Sequence, residues 1–212
     1  MDRDEVWHAI DAERLSLAGL FEDLSPAEWE TRSLCAGWRV RDVAAHLTLA
    51  HTGPGTALVA MLRAGGSFNR MIRDTALRQA ALPVERYPQL LRAMVGSRRK
   101  APGISDLEPL IDVLVHGQDV AVPLGRPRPM PVEPTVAAVR RVWPNLYPFR
   151  AERRLRGVRL VATDHPWTAG QGLVVEGPIG ALLLLLTGRS AALAQLSGPG
   201  LPSLEGRLAP SP

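Results

Sequence analysis

Residues 107–122, LEPLIDVLVHGQDVAV, are apolar around most of a helix circumference and leave one narrow polar stripe of Glu108, Asp112, His116 and Asp119. Asp112 and His116 are four residues apart, so they stack one turn above the other, and Asp119 follows one turn later. Such a stripe is either the wet side of a bundle helix or the inner wall of a metal site. It holds three carboxylates and a histidine but no arginine, in a chain where arginine is plentiful, although a wet face would favour mixed signs at i,i+4. A divalent cation would relieve that repulsion.

The flanking sequence predicts more helices. Val6, Ile10, Leu17, Leu20 and Leu24 recur at helical spacing and place a first helix over about 4–23. Ser25, Pro26 and Glu28 then supply an N-cap, a first-turn proline and a capping-box acid for a short helix carrying Trp29. RVRDVAAHLTLAH aligns Val40, Val43, Leu47 and Ala50 on one face and puts His46 on its edge. Breaks at Gly53–Gly55 and Gly65–Gly66 imply helices over 56–64 and 68–81, followed by one over 84–97. Ser105 or Asp106 can cap the helix of residues 107–122, which stops at the prolines of LGRPRPMPVEP. A last helix covers 135–143.

From Arg156 the pattern changes. GVRLVATD and GLVVEG are short and β-branched, and the turn around His165 to Gly170 separates them, which predicts two strands. Pro178 opens a leucine-rich helix that Gly188 ends, and SAALAQL forms another short one. The expected fold is mainly α: a bundle over 1–150 with a small α/β domain over 151–212.

The pI of about 10.1 looks like a nucleic-acid signature, but 25 basic residues against 21 acidic leave only +4. With two Tyr and three Phe there is little to stack on bases, so no nucleic-acid partner is expected. The lone Cys35 excludes an internal disulfide and suits a reducing compartment. Its neighbourhood in sequence holds no histidine arrangement typical of a nucleophile, so it reads as a small buried residue. The N-terminus lacks a signal-peptide core, and Ile179–Leu186 is far shorter than the roughly 20 residues a bilayer requires. A cytoplasmic protein with no membrane partner is expected.

For a metal site, the i,i+4 pair of Asp112 and His116 directs two ligands to one point, and His46 is the natural third from another helix. Three protein ligands leave a position open. Asp42 lies four residues before His46 and is either its orienting partner or a helix N-terminal acid. Asp119 divides in the same way between orienting His116 and capping. Neither His8 nor His51 has an acid or histidine partner at helical spacing that completes a site, and His165 reads as a turn residue.

Three stretches, GWRVRDVAAHL, LIDVLVHGQDVAVPLGRP and GVRLVATDHPWTAGQGLVVEGPIGALLLLLTGR, resemble the actinobacterial mycothiol-dependent maleylpyruvate isomerase family within the DinB-like helical bundles. The resemblance covers about residues 7–207. It implies a four-helix bundle holding a divalent metal, usually zinc, on His46, Asp112 and His116, with mycothiol as a thiol cosubstrate. The family carries glutamate where this chain has Asp112, one methylene shorter, so a metal must sit nearer this helix or be reached through water.

These readings combine into a metal-dependent, thiol-dependent isomerase or transferase acting on a small electrophile, a monomer or homodimer, with Arg39 or Arg63 available for a substrate carboxylate. Two rivals stand beside it: a metal-free small-molecule-binding or regulatory protein on the same fold, and a metal-dependent hydrolase using bound water.

Overall fold

The computed structural model describes residues 1–51, 54–101, 103–144 and 146–208. The chain divides into two compact units, Asp2–Arg128 and, together with Met1, Pro129–Pro212.

The first unit is the helical bundle. Helix α1 (Arg3–Glu22) starts at a capping box in which the Asp2 carboxylate accepts the Glu5 N–H at 2.9 Å and Glu5 accepts the Asp2 N–H at 2.6 Å. Ser25, Pro26 and Glu28 start α2 (Pro26–Trp29) by the same device, as the sequence predicts. Helix α3 (Val40–Leu47) runs on into a 3-10 turn, Thr48–His51. The Gly53 break lies outside the described residues; α4 (Pro54–Arg63) and α5 (Phe68–Gln79) are parted by Gly65 and Gly66, both with positive φ. Helices α6 (Arg86–Ala93) and α7 (Leu107–Ala121) complete the unit.

Helix α1 packs on α6 and α7, and α3 packs on α5 and α7. Their shared core includes Leu17, Phe21, Trp29, Val43, Tyr87, Leu91 and Val113. Trp29 is its hub, with the rings of Phe21 and Tyr87 centred 5.4 and 5.7 Å away. Helix α6 is shorter than its sequence pattern predicts and gives way to a turn in which Gly96 has φ 79; there Arg14 of α1, 1% exposed, donates to Met94 O at 2.9 Å and Ser97 O at 3.3 Å. Asp11 accepts the Gly96 N–H at 2.8 Å in the same turn.

Glu28 links the α2 cap to the loop after α7. It accepts the Ser25 N–H and hydroxyl, both at 2.8 Å, and Arg126 donates to its other oxygen at 2.7 and 3.0 Å. The Ser25 backbone hydrogen bond, then Arg126, then the Ser25 hydroxyl hold its carboxyl at about 2, below the ordinary 4.5. A depressed folded-state pKa adds stability that is fully present above pH 4.5 and is lost as pH falls toward 2. Glu28→Gln should therefore lower the urea midpoint at neutral pH, with the gap from wild type narrowing steadily below pH 4.5. A gap that stays constant down to pH 2.5 would contradict this assignment.

The second unit contains α8 (Val132–Val142), α9 (Ala151–Arg154), β1 (Gly157–Ala162), β2 (Thr168–Gly170), β3 (Gly172–Gly177), α10 (Ile179–Leu186), a 3-10 turn (Ser190–Gln195) and α11 (Leu201–Leu208). Helix α8 begins three residues earlier than predicted, since Pro134 falls in its first turn, where a missing N–H breaks no helical bond. Within this unit α8 packs on α10.

The sheet has the order β2-β1-β3, with β1 antiparallel to β2 and parallel to β3. The sequence predicts a turn over residues 165–170. Their last three residues form β2, a strand too short to show alternation. Beyond β3, Ser197 exchanges both backbone hydrogen bonds with Glu176, covering the sheet edge. Gly198, at φ 108, is needed there because a Cβ would lie 2.5 Å from Val174 O.

Helix α10 is almost wholly buried. At its end Arg154 donates to Leu186 O at 3.1 Å and to Leu185 O at 2.5 Å, the latter also accepting the Gly188 N–H at 3.1 Å. Burial pulls the Arg154 pKa down, and nearby Arg189 adds to the pull. Arg154→Met should cost about 1.5–3 kcal/mol, the loss expected for hydrogen bonds from a charged donor, measured as a fall in the denaturant midpoint. Among the described residues no helix is long and apolar enough to cross a membrane.

Candidate metal centre

His46 sits near the end of α3, and Asp112 and His116 lie on successive turns of α7. Because α3 packs on α7, the edge position of His46 in its own helix becomes a position facing the α7 stripe. Asp112 Oδ1 lies 3.3 Å from His46 Nε2 and 3.4 Å from His116 Nε2, and the two imidazoles meet edge to face with centroids 4.9 Å apart. The three ligand atoms fall within 4.8 Å of one another.

Two kinds of histidine–acid contact occur here, and their lengths differ. His116 Nδ1 donates to Asp119 Oδ2 at 2.8 Å, an ordinary charge-assisted hydrogen bond. The two contacts of Asp112 are about half an ångström longer. With metal–ligand bonds of about 2.0–2.2 Å, a tetrahedral site separates neighbouring donors by about 3.3–3.5 Å. The contacts of Asp112 match that edge length, and the nitrogen and oxygen donor set suits zinc and neighbouring borderline metals. The shorter acid therefore reaches both imidazoles directly.

Asp119 is fully buried and carries the orienting contact. By accepting from Nδ1–H it leaves the His116 Nε2 lone pair directed at Asp112 and His46. Burial pulls the His46 pKa down, but the charge and hydrogen bond of Asp112, with Asp119 behind it, outweigh that pull and raise the imidazole above its ordinary value.

Asp42 behaves otherwise. Its Oδ2 accepts from the Arg39 backbone N–H at 2.8 Å and from Nε at 3.0 Å, while its Oδ1 accepts a second guanidinium nitrogen at 3.1 Å. Of its two sequence readings, the geometry matches the helix N-terminal acid. Arg39 also binds Glu30 at 2.8 Å, so this guanidinium serves the start of α3. Arg63 is exposed at the end of α4. His51 ends the 3-10 turn and His8 is exposed on α1; neither joins a ligand cluster among the described residues, nor does His165.

Two neighbours were not visible by spacing. Cys35, read from the sequence as lacking a histidine partner, places Sγ 3.7 Å from His116 Nδ1 and 3.1 Å from Asp119 Oδ2. Cys35, His116 and Asp119 make a second group of ligand atoms, but its 2.8 Å nitrogen–oxygen contact has hydrogen-bond length, and the thiol shares the Asp119 acceptor. Trp38 covers both imidazoles, its ring 5.5 Å from His46 and 6.5 Å from His116. The loop carrying both residues is held by Leu34 N–H donating to Asp119 O at 3.1 Å and Trp38 N–H to Cys35 O at 3.0 Å. Only the tertiary fold brings this loop to α7.

Fold and cluster together define a helical-bundle protein with a candidate site for a divalent cation between two of its helices. Residues 10–121 match the family model for the mycothiol maleylpyruvate isomerase N-terminal domain, and the chain belongs to that family. The matched segment contains Cys35, Trp38, His46, Asp112, His116 and Asp119 and ends with α7.

Among solved structures, the chain is similar to a mycothiol-dependent maleylpyruvate isomerase at 14% identity and a TM-score of 0.64, over 94% of this chain and 93% of that one. A histidine-to-alanine mutant described by the same enzyme name matches at 15% identity and a TM-score of 0.62, over the same shares. At these identities the likeness establishes the shared fold, a DinB-like four-helix bundle with a small α/β C-terminal part. No curated protein matches the chain.

Proposed function

We propose that this protein is a metal-dependent enzyme that uses mycothiol, or a similar low-molecular-weight thiol, to isomerise or transfer a group on a small electrophile. His46, Asp112 and His116 hold a divalent metal, zinc by donor preference. The single observation that carries the reading is the pair of contacts at tetrahedral-edge length from Asp112 to both imidazoles, beside the shorter bond that fixes the His116 tautomer. Family membership supports the thiol.

The cation, when bound, lowers the pKa of a thiol so that its nucleophilic thiolate form is present near neutral pH. The chain's own residues do the rest. Asp119 keeps the His116 proton on Nδ1, so Nε2 is free to ligate without a further proton transfer. His46 must release its proton to serve as a ligand, which ties loading of the site to pH. Trp38 shields the two imidazoles from water and gives the thiol and substrate an apolar wall.

The test combines metal analysis with turnover. Purified protein should carry close to one divalent metal per chain and convert maleylpyruvate, or a related unsaturated keto acid, only when mycothiol is present. Turnover indifferent to thiol would favour the hydrolase reading. Protein without metal, and without a thermal shift on adding zinc, would favour the metal-free binding protein.

A further inference from the structure

The unit of residues 129–212 contains nine arginines and five carboxylates, a formal +4, while sixteen charges of each sign balance in residues 2–128. All of the chain's net charge thus belongs to the smaller unit, and part of it converges. A groove of about 760 Å³ is lined by Arg150, Arg153, Arg156, Glu152, Trp143 and Gln171, among others. Its size is within the usual few hundred to a thousand Å³ of small-molecule sites. No residue of the candidate metal centre lines it.

The three arginines recur every third residue, which keeps them on one side of α9 and the link to β1. Arg154, in the same run, is used differently: it is turned inward to cap α10. Arg150 has φ 47, the left-handed region that a residue with a side chain occupies only when its surroundings impose it. Trp143 provides a flat apolar wall. Three guanidinium groups against one carboxylate, around an opening of this volume, form a field that attracts anions, and each group can meet a carboxylate or phosphate with two parallel hydrogen bonds.

We propose that this groove is a binding site for a small organic polyanion carrying two or more carboxylate or phosphate groups. One guanidinium per anionic group leaves the third to offset Glu152, and the carbon frame of the ligand lies against Trp143.

Isothermal titration calorimetry at physiological salt tests the site with tricarballylate and fructose 1,6-bisphosphate, both weak chelators, so heat does not come from removing a metal. At least one should bind saturably at one site per chain, and the one preferred identifies the anionic group; acetate should not saturate. Arg150→Asn with Arg156→Gln, where asparagine tolerates the left-handed backbone, should weaken binding about tenfold or more, the loss expected for a charged hydrogen-bonding group. Arg156→Gln alone, with no unusual backbone at stake, should weaken it in the same direction. Arg140→Gln removes an exposed charge of the same unit outside the groove and should leave binding unchanged. No saturable binding of either polyanion, or an equal loss in Arg140→Gln, would overturn the proposal.

Discussion

His116→Ala should cost the protein the divalent metal proposed for this centre and abolish the proposed thiol-dependent turnover, while the bundle remains folded. This is the largest effect expected from any single substitution. His116 faces both ways: Nε2 stands 3.4 Å from Asp112 and Nδ1 bonds Asp119, so its removal takes away one ligand and leaves the buried Asp119 carboxylate without its imidazole partner. Losing a partner behind a ligand typically costs 10–100-fold in affinity, and losing the ligand itself must cost more, so zinc affinity should fall by more than about 100-fold. The side chain is only 16% exposed, so some stability is lost too, about 1–3 kcal/mol for the lost charge-assisted hydrogen bond, with the Cys35 thiol still donating to Asp119. Competition titration against a chelator of known affinity measures the first effect and urea unfolding the second. A variant that binds zinc as tightly as wild type would end the assignment.

The next largest effect belongs to Asp119→Ala, which touches no ligand atom of the centre and yet should weaken zinc binding by roughly 10–100-fold. Without the acceptor for Nδ1–H, the His116 ring can rotate, which turns Nε2 away from the other two ligands, or change tautomer, which puts the proton on Nε2 and removes its lone pair. Asp119→Asn keeps an oxygen acceptor at the same place and should recover much of the loss. That ordering separates an orienting role from a purely structural one, because cavity formation alone would not be repaired by restoring the hydrogen bond. In a cobalt-substituted protein the alanine variant should also show an altered visible spectrum. Equal affinities for the alanine and asparagine variants would show that orientation is not what Asp119 provides.

Much of the bundle was legible in the residues because helix signals are local. The Ser25 capping box, the Gly65–Gly66 break and the prolines after Leu124 act within a few positions, so they read the same in the chain as in the fold. The α7 stripe was legible for the same reason: i,i+4 spacing is a property of the helix alone. What failed depended on distant partners. Beyond the end of α6, Arg14, some eighty residues away, holds the following turn through Met94 O and Ser97 O. The strand of residues 168–170 exists only as a neighbour of β1.

In the candidate site the same boundary separates the residues by role. Asp112 and His116 could be paired from their spacing, and His46 could be nominated from its position at an apolar edge. Cys35 and Trp38 lie in a loop about eighty residues before the α7 groups they approach, and no periodicity relates them to His116 or Asp119. Asp42 had two readings of equal standing in the sequence, and the Arg39 guanidinium bound to both of its oxygens matches the helix N-terminal one.

The sequence by itself determined which residue types occupy each helix turn, because helix periodicity and capping are short-range properties of the backbone. Only the tertiary structure decided which turns face one another: that His46 meets Asp112, that the Cys35 loop closes on Asp119, and that three arginines line one groove. Those encounters depend on the packing of elements far apart in the chain, where close-packed cores select one arrangement among many that local spacing would allow.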